Sequence, residues 1–233
     1  MMRRIENENL RKVLRIVVPF VLFPLVVYAG TFVFAQNKYA WISLACVILA
    51  LVLFYASFDK KIVGTRRMVI IAVMTALSVI GRAIFAMIPA FKPITAIVVI
   101  TAIWIGPESG FLVGSLSAVI SNFQFGQGPW TPFQMFAWGM IGLIAGYLSK
   151  PLRRSRIALA VYGAFAGVAY SFIMDVWTVL WAGEGFQWNL YVAALATAVP
   201  YTIGYAVSNV IFLLLLGRPF GEKLQRVKIK YGV

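Results

Sequence analysis

The chain has 233 residues, is 62% hydrophobic and only 12% charged, and has a mean hydropathy of +0.89. A soluble domain of this length carries about twice that charged fraction, and the apolar runs do not alternate as the strands of a membrane β-barrel do. The net charge of +14 invites a nucleic-acid reading, but the cations gather at the ends of apolar stretches, where orientation in a membrane accounts for them.

The composition therefore predicts an all-α polytopic membrane protein. Residues 1–35 resemble a signal, with Arg3, Arg4, Arg11, Lys12 and Arg15 before an apolar run, but no small-residue cleavage site follows. At ~20 residues per crossing, spans are expected over 13–35, 39–58, 66–88, 93–106, 109–125, 133–150, 156–182 and 189–216. The fourth is short and must stand nearly upright or be partly re-entrant. Eighteen of the 21 Lys and Arg fall at one set of span ends; the exceptions are Lys38, Arg82 and Lys92. By the positive-inside rule both termini are cytoplasmic in a multi-pass cell-membrane protein. The chain divides into a two-span N-terminal hairpin, residues 1–60, and a six-span core, residues 61–233.

Arg82 in the third span and Asp175 in the seventh are the only ionisable residues well inside the core spans, and such residues are functional suspects. Each lies ~9–10 Å below the outer end of its helix. Equal depth suggests an ion pair, which either locks two helices or contacts a polar ligand. In the fifth span Gly110, Gly114, Ala118 and Asn122 recur every fourth residue on one face. Such faces serve close helix packing, and Gly142/Gly146 and Gly163/Gly167 repeat the spacing; Asn122 sits at the outer end of the face, where a cavity lining would be.

The outer connector FGQGPWTP, 125–132, joins the fifth and sixth spans with two glycines, two prolines and no charge. It reads either as a tight turn with an interfacial Trp130 or as a lid over a flat, polar-edged ligand, with Trp130 as its aromatic face and Gln124, Gln127 and Gln134 as neutral donors and acceptors. The outer stretch GEGFQW, 183–188, repeats the recipe. In the eighth span Thr197, Tyr201, Tyr205 and Ser208 form a polar stripe beside Pro200. It is expected to face the bundle interior or a wet cavity, as a hydrogen-bond seam or as a ligand wall.

Chemistry is poorly provided for. With no histidine and Cys46 as the lone cysteine, His-based catalysis, a cysteine metal site and an internal disulfide are excluded. Neither a metal nor a cofactor is expected. One deep acid does not make a hydrolase or a lipid transferase, and no phosphate loop ending in Gly-Lys-Ser/Thr is present. A stand-alone membrane enzyme acting on a lipid-soluble substrate remains the alternative to a binding subunit.

Residues from about 66 to 233 resemble the S component, the substrate-binding subunit, of energy-coupling-factor (ECF) vitamin transporters. The likeness rests on three features: the six-span core with both ends cytoplasmic, the inner hairpin IGPESGFLVGSLSAVISNF with its GP-x-x-G turn, and the pattern Ala72-Val-Met-Thr-Ala76 in the first core helix. The resemblance implies capture of a vitamin at the outer side and uptake driven by a transmembrane T component and two ATPase subunits. The S component is thought to topple in the bilayer with its ligand. Ala72 and Ala76 would face the T component. Asn122, Gln124, Gln127, Trp130, Gln134, Trp138, Asp175, Trp177 and Gln187 would line the pocket. The stretch SNFQFGQGPWTPFQMFAWG looks most like the cobalamin branch, while riboflavin or another precursor would also suit aromatics and neutral amides. No basic cluster stands near the outer loops, which argues against a multiply phosphorylated ligand.

Overall fold

In the computed structural model, residues 8–22, 25, 45, 48–49, 51–52, 65–128, 130–182 and 187–231 are described. Most of the two expected N-terminal spans, Pro129 and most of GEGFQW lie outside the described residues. Helix α1 spans Glu8–Val17 and continues as a π-helical turn, Val18–Leu22. The core contains α2 (Thr65–Ile84), α3 (Ile94–Ile105), α4 (Pro107–Phe125), α5 (Trp130–Tyr147), the short α6 (Ser149–Arg154), α7 (Arg156–Ala182) and α8 (Trp188–Tyr231). Among the described residues there is no strand.

Helix α3 is the centre of the bundle. Eleven of its 12 residues are buried, as expected of a segment that is apolar all round. At ~18 Å it is too short to cross a bilayer alone, and it packs on α2, α4, α5 and α8. Its end is abrupt. Gly106 has φ 138°, a region closed to most other residues, and Pro107 then opens α4 at a position where a missing N–H costs nothing. The GP turn thus reverses the chain with no intervening loop.

The small-residue faces do what close packing requires. A Cβ on Gly110 would lie 3.0 Å from Gly142 O, and one on Gly114 would lie 2.5 Å from the Trp138 backbone. Gly146 rests against Pro107, and Gly167 against Ala206. Backbones of α4 and α5, and of α7 and α8, therefore approach as only glycine allows. At the cation-rich end Arg67 donates from Nε to Ser109 Oγ at 2.9 Å and lies 3.7 Å from the Glu108 carboxylate.

Three span limits differ from expectation, and the first is the third span, whose helix ends at Ile84 and not at 88. The sixth span ends at Tyr147, and residues 149–154 form the separate α6. The eighth does not stop at 216: α8 runs 44 residues, with Pro200 and Pro219 inside it. At ~66 Å it is about twice the thickness of a hydrocarbon core. Its final part carries Arg218, Lys223, Arg226, Lys228 and Lys230, which polar surroundings accommodate and lipid tails do not. Helices α2, α7 and α8 are long and apolar enough to cross a membrane. Their outward surfaces are apolar, with Val69, Val73, Ile157, Val161, Ile203 and Leu215 all exposed.

Candidate ligand-binding site

A polar cavity of about 110 Å³ lies toward the cation-poor end of the bundle. Arg82 comes to it from the last turn of α2, and Ala90 and Lys92 from the α2–α3 link. Gln134 and Trp138 come from one face of α5, Tyr170 from α7, and Tyr205 and Asn209 from α8.

Arg82 is fixed by α4. Its Nη1 donates to Ser121 Oγ at 2.5 Å and to Asn122 Oδ1 at 2.7 Å. The guanidinium carbon stands 4.5 Å from the Phe125 ring centre and 5.6 Å from that of Trp138, within cation–π range. Among the described residues no hydrogen bond is made by its Nε or Nη2, so part of its donor fork is unspent. Asn122, fully buried, passes the order on. Its Nδ2 donates to Thr131 Oγ1 at 2.8 Å and to Gln134 Oε1 at 2.9 Å. Gln134 Nε2 in turn donates to Tyr170 Oη at 3.2 Å.

The walls are aromatic. Trp138 stacks on Tyr170 with ring centres 5.1 Å apart and planes 10° from parallel, and Tyr205 meets Tyr170 edge-on at 5.1 Å. Lys92 is held by its backbone N–H, which donates to Ser208 Oγ at 2.9 Å. Burial, and then the neighbouring Arg82 charge, hold the Lys92 amine below the ordinary lysine range. Cations, hydroxyls and amide N–H groups converge here, so the site is rich in donors and suits a ligand edge rich in acceptors.

The structure brings together only some of the residues expected in a pocket. Gln134 and Trp138 line the cavity, and Asn122 stands one hydrogen bond behind it. Trp130 does not line it. Its ring packs under Gly128 and lies 5.7 Å from the Trp177 ring, outward of the Gln134–Tyr170 contact along α5 and α7. Gln127 braces the connector, donating to Val119 O at 2.8 Å and accepting from Thr131 Oγ1 at 2.9 Å. Gln124 and Gln187 are exposed and contribute nothing to the lining.

The expected Arg82–Asp175 ion pair is not formed. The equal depth expected of them fails as well: α2 ends at Ile84, which leaves Arg82 in its last turn, while Asp175 lies seven residues before the end of α7, and α2 packs on α3 and α4 whereas α7 packs mainly on α8 and α5. Asp175 is 9% exposed, and its Oδ2 is buried without a hydrogen-bond partner among the described residues. The polar stripe of α8 also divides. Tyr205 and Ser208 pack inward, Ser208 against Lys92, while Thr197 and Tyr201 are exposed. Thr197 spends its hydroxyl on the Ala194 carbonyl of its own helix. Lys92, Tyr170 and Asn209 are lining residues that the sequence did not single out; the one available signal was Lys92, a rare cation away from the cation-rich span ends.

Residues 62–226 match the family model described as ECF-type riboflavin transporter, S component. No curated protein and no solved structure matches the chain.

Proposed function

The chain belongs to the family of S components of ECF-type riboflavin transporters, and from that premise we propose that it captures a flavin, riboflavin first, in the cavity between Arg82, Gln134 and Tyr205. Membership makes it a substrate-binding subunit, and the family implies a T component and ATPase partners in a lipid bilayer. The ligand, its contacts and the orientation are the proposal.

The observation that carries it is the unspent donor fork of Arg82, held by Asn122 beside Lys92 and a set of aromatic faces. A flavin's pyrimidinedione edge presents two carbonyl acceptors flanking one N–H. Arg82 and Lys92 supply donors for the carbonyls, and a tyrosine or amide oxygen supplies the acceptor. The flat ring offers a stacking face to Trp138 and the tyrosines. A corrinoid, which the connector sequence suggested, is far bulkier.

The cavity of about 110 Å³ is smaller than the ~300–1,000 Å³ of an occupied organic-ligand site. Capture therefore includes an opening. The parts placed to move are the α2–α3 link and the Trp130–Trp177 contact, which closes α5 on α7 farther out. Asp175 and Trp177 act at that outer level, and Gln124, Gln127 and Gln187 on the connectors. On this reading both termini are cytoplasmic and the cavity faces out. The exposed Ala72 and Ala76, on the same α2 surface as Met68 and Val73, are the T-component contact.

Titration of the purified protein with riboflavin, followed by quenching of flavin fluorescence, tests the assignment. Saturable quenching with one flavin per chain supports it. Binding of cobalamin with no response to riboflavin would overturn it.

A further inference from the structure

The cation-rich end carries a second, unrelated recess. A groove of about 430 Å³ runs between the end of α3, the α6–α7 corner and α8, and a neighbouring recess of about 470 Å³ shares Trp104, Arg153, Arg154 and Gln225 with it. Its rim is basic: Lys150, Arg153, Arg154, Arg156 and Arg218 border the two recesses. The one acid on this lining is Glu222, which lies 3.4 Å from Arg218. The floor is different. Leu214, 38% exposed, makes it apolar above the buried Leu159 and Leu213.

Trp104 stands where rim meets floor. The Arg153 guanidinium carbon lies 5.2 Å from its ring centre, and Lys228 Nζ donates to its carbonyl at 3.4 Å. Gly221 leaves room for the indole, whose Nε1 is buried without a partner among the described residues. Trp beside arginines at the end of an apolar bundle is the chemistry of a headgroup level.

We propose that this groove is a binding site for an anionic phospholipid, with the phosphate on Arg153 and Arg154 beside Trp104 and an acyl chain along the leucine floor. The two chemistries occur together, which selects the occupant. A free phosphate would need the arginines and not the leucines; a lipid without a phosphate would need the leucines and not the arginines; and a zwitterionic headgroup would bring its ammonium against the basic rim of Lys150, Arg156 and Arg218. Guanidinium groups match phosphate oxygens in pairs, and basic pockets between membrane helices on the cytoplasmic side favour such headgroups. The inference rests on the orientation read from the cation bias, and not on what the outer cavity binds.

Native mass measurement of the detergent-purified protein tests it, with phosphatidylglycerol and phosphatidylcholine of matched chains in competition. Retention of phosphatidylglycerol over phosphatidylcholine is expected, with no displacement by excess glycerol phosphate. The Arg153→Gln/Arg154→Gln variant should weaken retention by about fivefold per arginine removed. The Lys223→Gln/Arg226→Gln variant, equal in charge but outside the groove, should keep it. Arg154→Gln alone carries the same test if the double variant does not fold, since Arg154 is exposed. Equal retention of the two lipids, displacement by glycerol phosphate, or equal losses in groove and control variants would each overturn the site. Flavin titration of the same samples keeps the two proposals apart, because the groove variants leave the outer cavity untouched.

Discussion

The guanidinium of Arg82 donates to Asn122 Oδ1 at 2.7 Å, and among the described residues it pairs with no carboxylate, so this cation of α2 is positioned by a neutral amide. An amide fixes direction without cancelling charge. The arginine remains a full cation with donors to spend, which a salt bridge to Asp175 would have consumed. Substitution of either residue should therefore weaken flavin binding. A hydrogen bond involving a charged group contributes about 1.5–3 kcal/mol, so Arg82→Gln is expected to raise Kd by roughly tenfold to a hundredfold. Asn122→Ala should reach part of that loss through Arg82. In the double variant the losses should fall short of additive. Strictly additive effects by calorimetric titration would show that Asn122 does not act through Arg82.

The connector and the cavity separate in a second experiment. Gln134 receives the Asn122 amide and donates to Tyr170, whereas Trp130 meets Trp177 farther out. Gln134→Ala should weaken equilibrium binding by about tenfold, the scale of one lost buried hydrogen bond with its partners left unpaired. Trp130→Ala should act mainly on the dissociation rate, because it loosens the closure of α5 on α7. Stopped-flow fluorescence distinguishes the two. An unaltered dissociation rate in Trp130→Ala would leave the tryptophan pair without a role in retention.

Much of the fold was legible because it follows from volume and polarity. The glycine spacing of α4 announced a close partner, and α5 supplies it at Gly139, Gly142 and Gly146. The Gly106-Pro107 pair marked a turn, and φ 138° shows why glycine holds it. The site was only half legible. Depth along a helix can be counted from the sequence, but the direction a side chain faces depends on which helices are neighbours. Arg82 sits in the last turn of α2, which ends at Ile84, whereas Asp175 lies two turns inside α7, and α2 packs on α3 and α4 while α7 packs mainly on α8 and α5. The same limit hid Lys92 and Tyr170, whose hydrogen-bond partners Ser208 and Gln134 lie 116 and 36 residues away along the chain. It also misplaced Trp130, since no spacing rule shows that Gly128 receives its ring.

Packing and binding meet at Gly114. A methyl group there would press on the backbone of Trp138 and Gly139, and backbone cannot swing aside as a side chain can. Gly114→Ala should lower stability by about 1–3 kcal/mol through overpacking. It should also weaken flavin binding, because the displaced segment of α5 carries Trp138 into the cavity wall. Gly217→Ala is the control. Its Cβ would lie 3.2 Å from a flexible end of Leu159 at the other end of the bundle, so binding should be spared. Thermal unfolding in detergent with parallel flavin titration gives both quantities; normal binding by Gly114→Ala would mean that α5 tolerates the shift.

Ala72 and Ala76 are exposed on α2, and the proposed T-component contact needs them small. Ala72→Trp should block uptake of riboflavin into cells or vesicles that hold the partner subunits, while the purified variant binds flavin as before. The split between the two readouts is the test. Normal uptake by Ala72→Trp and by Ala76→Trp would move the docking surface elsewhere.

Lys92 gives a pH test whose sign can be worked out. Burial and the Arg82 charge hold its amine below the ordinary value of 10.5 in the folded state. Wherever the amine is protonated in both states, the folded state carries the full penalty of a desolvated cation beside another. As pH rises through the lowered folded value, the folded state releases this proton while the unfolded state keeps it. Stability attributable to Lys92 therefore increases with pH until the unfolded amine also titrates. Lys92→Gln removes the penalty, so in unliganded protein it should melt above the parent at neutral pH, and the gap should shrink toward alkaline pH. A gap that widens on that side would mean that the Lys92 cation stabilises the empty site and that Arg82 is not its adversary.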